Sequence, residues 1–175
     1  AHFLGQKLSN FNINYFIDSK NYPYGKKSQK QLAGLIKANL KALDTQNYDY
    51  LVIACNTASI AIENDPKVTK NLKTKILKIT DWLNFYDINK TDVLAIIGST
   101  FTINSAYYQN KLINSKKVIP IDGQNLINAI EVNSKQEIKK EIEKLKNILT
   151  ECEADTLILG CTHFTGVYKE LVNKL

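Results

Sequence analysis

The sequence predicts an α/β fold built on open parallel sheet, and three observations carry that prediction. Short apolar runs alternate with amphipathic stretches along the chain, the pattern of strands joined by crossover helices. Leu51 to Ala54 is continuously apolar, as expected for a strand buried on both faces of a parallel sheet. Finally, the chain repeats itself. Asp49-Tyr50-Leu51-Val52-Ile53-Ala54-Cys55-Asn56-Thr57 runs in parallel with Asp155-Thr156-Leu157-Ile158-Leu159-Gly160-Cys161-Thr162-His163. The repeat implies two related lobes, residues 1–80 and 81–175, with the boundary between Thr80 and Thr91.

The elements follow in order. Asn14 to Ile17 is a short apolar run closed by turn residues through Gly25, which reads as a strand and a loop. Ser28 can cap a helix in which Leu32, Leu35, Ile36, Leu40 and Leu43 share one face. After the strand at Leu51, a helix starts just past Cys55 and runs through Ala61 and Ile62, and Ile76 to Ile79 is a further strand. In the second half Val93 to Ile97 is a strand ending at Gly98, and Ile103 to about Ile113 a helix. Val118 to Ile121 is a strand, and Gly123 to Ile130 a short helix or turn. Glu137 to Leu149 is an amphipathic helix with Ile138, Ile142, Leu145 and Leu149 on one face. Leu157 to Leu159 is a strand, and the tail from about Gly166 to Leu175 is helical.

Composition narrows the function. The chain has 175 residues, 44% of them hydrophobic, and a net charge of +6. All 23 basic residues are lysine. Arginine, whose planar fork suits bidentate reading of guanine or phosphate, is absent, and the lysines are scattered. The charge therefore reads as a solvated surface, and no nucleic-acid partner is expected. No apolar stretch is long enough for a transmembrane helix, so no membrane partner is expected. The 3 cysteines have no disulfide-framework spacing, which points to a soluble, cytoplasmic protein with reduced thiols. Methionine is missing even at position 1, so the sequence reads as a segment of something longer.

Cys55 and Cys161 carry the candidate chemistry. In an open α/β sheet, ligands bind outside the carboxyl ends of the strands, where both cysteines fall. Each enters a turn before a helix, where free N–H groups can stabilise a thiolate. Two such thiols can face one substrate from opposite sides, removing a proton from one face of a carbon and returning one to the other. Asn56, Thr57, Thr162 and His163 follow the cysteines, and with the helix-start amides they could hold a carboxylate. Ordinary helix capping explains Asn56 and Thr162 equally well. His163 could tune Cys161 or bond a substrate. A metal site from Cys152, Cys161 and His163 is disfavoured by its spacing.

Five segments resemble a known family. Tyr15-Phe16-Ile17-Asp18-Ser19 and Pro23-Tyr24-Gly25-Lys26-Lys27-Ser28 are similar to its Tyr-Phe-x-Asp-Thr and Pro-Tyr-Gly motifs. Ala54-Cys55-Asn56-Thr57-Ala58 and Leu159-Gly160-Cys161-Thr162-His163 resemble its two cysteine motifs. Gly98-Ser99-Thr100-Phe101-Thr102 resembles its Gly-Thr-x-x-Thr segment. On these residues the chain resembles glutamate racemase, of the cofactor-independent aspartate/glutamate racemase superfamily. The histidine after Cys161-Thr162 favours glutamate over aspartate.

The resemblance implies two pseudo-symmetric, doubly wound, flavodoxin-like lobes with the active site in the cleft between them. It implies interconversion of L- and D-glutamate, supplying D-glutamate for peptidoglycan, with neither pyridoxal nor metal required. Cys55, Cys161 and His163 would be catalytic. Tyr24, Gly25, Asn56, Thr57, Thr102, Thr162 and His163 would bind substrate. The implied partner is glutamate, with a homodimer as an option. There are departures. The family's opening Asp-Ser-Gly strand is missing, and Ala1 to Leu8 looks like the helix that follows it. The family continues past its second cysteine motif, and its Cys-Pro-Leu segment is not found near Ile119-Pro120-Ile121-Asp122. The alternatives are an inactive truncated remnant or fragment, or another racemase of the superfamily, such as one acting on aspartate.

Overall fold

Two parallel sheets meet across one buried helix. The structure is a computed structural model and describes residues 8, 10–87 and 92–175. The helix expected over Ala1 to Leu8, and the last residues of the expected lobe boundary, lie outside those residues apart from Leu8 itself, which is not helical.

The first sheet pairs β1 (Tyr50–Ile53) with β2 (Lys75–Lys78) in parallel. Helix α1 (Gln29–Asp44) precedes it. Its start is set by a capping box, in which the Ser28 hydroxyl accepts from the Gln31 N–H and the Gln31 side chain accepts from the Ser28 N–H. Helix α2 (Asn56–Asn64) crosses from β1 to β2. Leu32, Ile36 and Leu40 of α1 and Ala58, Ala61 and Ile62 of α2 pack with Leu51 in one core.

The second sheet has the order β4-β3-β5, all parallel, from β3 (Val93–Gly98), β4 (Lys117–Asp122) and β5 (Thr156–Gly160). Helices α3 (Thr100–Asn104) and α4 (Tyr107–Lys111) follow β3. Helices α5 (Gln124–Glu131) and α6 (Lys135–Glu151) follow β4, and α7 (Tyr168–Lys174) ends the chain. Every residue of β3 is buried. Alternation along the strand divides them between two cores. Ala95 and Ile97 join Leu126, Ile127, Ile142, Leu145 and Phe164 on one face. Leu94 and Ile96 join Tyr107, Tyr108, Leu112, Ile158 and, from α2, Ile60 on the other. Each such aliphatic side chain contributes about 2 kcal/mol by leaving water. Strands alternating with covering helices, all in parallel register, are the α/β class the sequence predicts.

Three local expectations are corrected. Asn14 to Ile17 forms no strand, and Phe16 and Ile17 are 56% and 81% exposed. A strand needs a ladder partner, and among the described residues β1 pairs only with β2. The first sheet is not buried on both faces. Helices α1 and α2 both pack on the Leu51 side, which leaves Val52 59% and Leu77 46% exposed on the other. Finally, the helix expected over Ile103 to Ile113 is broken into α3 and α4. The Ser105 hydroxyl donates to the Thr102 carbonyl at 2.7 Å and accepts from the Tyr107 N–H at 3.3 Å, and Ala106 turns left-handed at φ 51°. Local hydroxyl bonds here replace the helix ladder.

Two positions give tests of the fold. Helices α5 and α6 both end in Schellman turns, with Ser134 N–H donating to Ala129 and Ala154 N–H to Leu149. The left-handed residue is Asn133 in the first and Glu153 in the second, at φ 52° and 51°. Asparagine tolerates that conformation and glutamate does not, so Glu153→Gly is expected to stabilise the chain by about 1 kcal/mol in a thermal melt. Gly123 allows β4 to enter α5 against the core. A Cβ there would lie 2.6 Å from Ile97 Cγ1 and 2.9 Å from Phe164 Cζ. Gly123→Ala is expected to cost about 2 kcal/mol in denaturant unfolding, the usual scale of overpacking.

Candidate active site

Both repeated cysteines stand at the carboxyl ends of parallel strands. β1 runs out at Ile53, and Cys55 is the N-cap of α2. β5 runs out at Gly160, and Cys161 is the N-cap of a 3-10 turn, Thr162–Val167, that leads into α7. Both cysteines have extended backbones, the state an N-cap requires. Cys55 is solvent-accessible and Cys161 half-buried, and all three cysteines are free thiols.

The two thiols lie close enough for charge on Cys55 to raise the pKa of Cys161. Loss of water pushes Cys161 up to about 11, a hydrogen bond from the His163 backbone opposes this, and the charges of Cys55 and Glu131 add to it. Cys55 is raised too, first by desolvation, with the Ala58 and Thr57 N–H groups pulling it back. The helix-start amides anticipated from the sequence are thus present, but dehydration outweighs them.

Behind Cys161 stands a short polar chain. His163 Nδ1 is 3.3 Å from the Cys161 sulfur. The other ring nitrogen, Nε2, is 3.4 Å from a carboxylate oxygen of Glu131, at the end of α5, and 3.1 Å from the Tyr22 hydroxyl. Around Cys55 the polar groups are buried. Asn56 Oδ1 accepts from the Tyr108 hydroxyl at 2.9 Å, and burial pushes that phenol up to about 12. Asn56 Nδ2 is buried with no partner among the described residues. An orphaned donor of this kind costs about 1–3 kcal/mol unless something accepts from it. The Thr57 and Ser99 hydroxyls meet at 3.1 Å, and Ser99 meets Thr102 at 3.1 Å. Thr102 is among the substrate contacts the family resemblance implies. It is only 1% exposed, and its hydroxyl is engaged by Ser99.

The loop before α1 supplies the remaining side. Asp18 accepts from the Tyr24 hydroxyl at 2.7 Å, from Asn39 at 2.9 Å and from the Asn21 side chain at 2.9 Å. The Tyr24 bond holds the Asp18 carboxyl below the usual range, while burial, then Asp18, pushes the Tyr24 phenol up. Gly25 lies against Ser99, the residue that follows β3. A Cβ there would fall 2.8 Å from Ser99 Cβ, so only glycine permits the approach. Thr162 is exposed in the 3-10 turn, its carbonyl accepting from the Thr165 hydroxyl at 2.7 Å.

Tyr24, Gly25, Asn56, Thr57, Thr102 and His163 are thus linked through contacts to residues around the two cysteines. The sequence reading missed Glu131, Tyr22, Ser99, Tyr108 and Asp18. Ser99 and Asp18 lie inside the family-like motifs, whereas nothing local marks Glu131, which the packing of α5 brings to His163. Among the described residues no group of three or more His, Cys, Asp or Glu could hold a metal ion. Cys152 caps the end of α6, its thiol donating to the Leu149 carbonyl at 3.5 Å. Among the described residues no helix is long and apolar enough to cross a membrane.

The chain is 31% identical to a glutamate racemase of Buchnera aphidicola subsp. Acyrthosiphon pisum (strain APS), over 96% of this chain and 67% of that one. It is 29% identical to a glutamate racemase of Buchnera aphidicola subsp. Schizaphis graminum (strain Sg), over 95% of this chain and 68% of that one. Among solved structures, glutamate racemase from Francisella tularensis in complex with D-glutamate superposes with a TM-score of 0.82 at 25% identity, covering 98% of this chain and 66% of that one. The chain thus spans about two thirds of the length of these relatives. The pattern of the Asp/Glu/hydantoin racemase family matches residues 8–175, both cysteine segments included. With that pattern along the sequence and a shared fold beneath it, the chain belongs to the Asp/Glu/hydantoin racemase family.

Proposed function

We propose that this chain interconverts L- and D-glutamate by two-base proton transfer, in the cytoplasm, supplying D-glutamate for peptidoglycan. The observation that carries the reading is the pair of thiols at equivalent strand ends, each raised by burial and one sensing the other's charge. Glutamate as the substrate draws its support from the relatives, which are glutamate racemases.

In this reading residues 1–80 and 81–175 are two lobes with the substrate between them. One thiolate takes the α-proton, and the opposite thiol gives a proton to the other face. A carbon α to a carboxylate is a weak acid, so fixed donors must meet the charge that develops on the carboxylate. The unpartnered Asn56 amide and the Thr57 hydroxyl suit that task beside Cys55. Thr162 and His163 suit it beside Cys161. Tyr24 and Gly25 would contact the substrate, with the Tyr24 phenol itself fixed by Asp18. Thr102 would act through Ser99. His163, with Glu131 behind it, would hold a hydrogen-bond partner against the Cys161 sulfur. Loss of water raises both thiols, and an incoming ammonium group would favour forming one thiolate.

One observation favours a second reading, a folded chain without turnover. The first sheet leaves Tyr50, Val52 and Leu77 exposed on one face, an apolar patch that nothing among the described residues covers. α-Deuterium incorporation into each glutamate enantiomer in heavy water separates the two. Exchange is expected, and its absence from a folded protein refutes the racemase reading.

Cys55→Ser and Cys161→Ser are each expected to lower racemisation about a hundredfold to ten-thousandfold, the range for losing a general acid or base. Full activity in both variants would end the proposal. The pH dependence has a definite sign. The reacting form needs one thiolate, and both thiols titrate above the ordinary thiol range. Below those values each pH unit adds about tenfold thiolate, so kcat/KM is expected to climb from about pH 7 to pH 9. A flat or falling profile over that interval contradicts the assignment.

A further inference from the structure

Tyr22 belongs to no motif used above, yet it makes a polar contact from the loop before α1 to the turn after β5. Its hydroxyl is 3.1 Å from His163 Nε2, and the two rings lie 6.2 Å apart at 36°. The loop is held in place by Asp18, which accepts from the backbone and the side chain of Asn21, the residue before Tyr22. Nε2 therefore has two neighbours with opposite demands. A carboxylate only accepts, so Glu131 at 3.4 Å requires the ring proton on Nε2. A phenol donates, so Tyr22 can be served by a bare Nε2. In a neutral imidazole one nitrogen carries the proton and the other accepts. Whichever neighbour takes Nε2 decides what Nδ1 presents to the Cys161 sulfur at 3.3 Å.

We propose that Tyr22 is a positioning residue for His163: by donating to Nε2 it keeps the ring proton on Nδ1, aimed at the Cys161 sulfur. The significance of the proposal for catalysis rests on the reading of Cys161 as an acid and base. An Nδ1–H donor stabilises the thiolate, against the burial that opposes it. Without the Tyr22 hydroxyl, Glu131 is the remaining partner of Nε2. The proton then moves to Nε2, and Nδ1 becomes an acceptor that favours the thiol. When the ring is protonated on both nitrogens, Nε2–H turns to Glu131, and the Tyr22 oxygen can accept as well. The titratable groups facing the ring are Cys161 in its own turn, Glu131 from α5 and Tyr22 from the loop, with Cys55 acting through the charge it places on Cys161.

The test uses the full chain and needs no turnover. Alkylation of Cys161 by iodoacetamide is followed against pH by peptide mass spectrometry, and the His163 tautomer is read by nitrogen NMR. Tyr22→Phe keeps the ring and removes the donor. It is expected to slow Cys161 alkylation at pH 8 about tenfold, as for a thiol raised by one pKa unit, and to move the ring proton to Nε2. Glu131→Gln replaces the carboxylate, which can only accept, by an amide whose N–H a bare Nε2 can accept, and is expected to leave the proton on Nδ1 and alkylation as fast or faster. Slowing by Tyr22→Phe with no slowing by Glu131→Gln supports the proposal. An unchanged profile and tautomer in Tyr22→Phe, or slowing by both variants, overturns it. A protein that gives the expected pattern yet exchanges no α-proton of glutamate overturns the racemase reading alone.

Discussion

Helix α2 has almost no free face, and the site depends on that constraint. Asn56 to Ile62 are buried without interruption. Ala58, Ala61 and Ile62 belong to the core of the first sheet, and Ile60 to one core of the second. The polar residues in between are engaged sideways, Asn56 by Tyr108 and Thr57 by Ser99. A helix wedged in this way cannot rotate or slide without disturbing both cores at once. Cys55 is its N-cap, so the thiol inherits that rigidity. The second cysteine is tied to the same framework, since Phe164 of its turn is fully buried against Ile97 of the central strand.

The same burial that fixes the thiols also sets their chemistry. A cysteine at a helix start is usually read as activated, because amides and dipole favour the thiolate. At half-buried Cys161 protein atoms remove water that would solvate the charge, and the balance tips towards the thiol.

The parts of the fold legible in the sequence were those decided locally. Val93 to Gly98 shows as a strand because an unbroken apolar run of that length, closed by glycine, has few other uses. α1 is legible because Ser28 and Gln31 form its cap from adjacent residues. The positions of Cys55 and Cys161 are legible through the repeat. What the sequence concealed depends on packing partners. Tyr50 to Ile53 is apolar throughout, so nothing in it distinguishes a strand covered on both sides from one covered on a single side. Ser105 and Ala106 break a helix through a hydroxyl bond that periodicity cannot register. The contacts of His163 were out of reach for the same reason, Tyr22 lying 141 residues away and Glu131 on another helix.

The two cysteine segments match as sequence but not as structure. One continues into a nine-residue α-helix held in two cores, the other into a six-residue 3-10 turn backed by an imidazole and a carboxylate. Glutamate enantiomers are mirror images, equal in free energy in solution, and the surface that would receive them is not its own mirror image. The bound states of the two enantiomers then occupy wells of unequal depth. The overall equilibrium still fixes their specificity constants to be equal. Any tightening towards one hand is matched by slower departure from it, so the lopsided site shows itself in saturation and never in the final mixture.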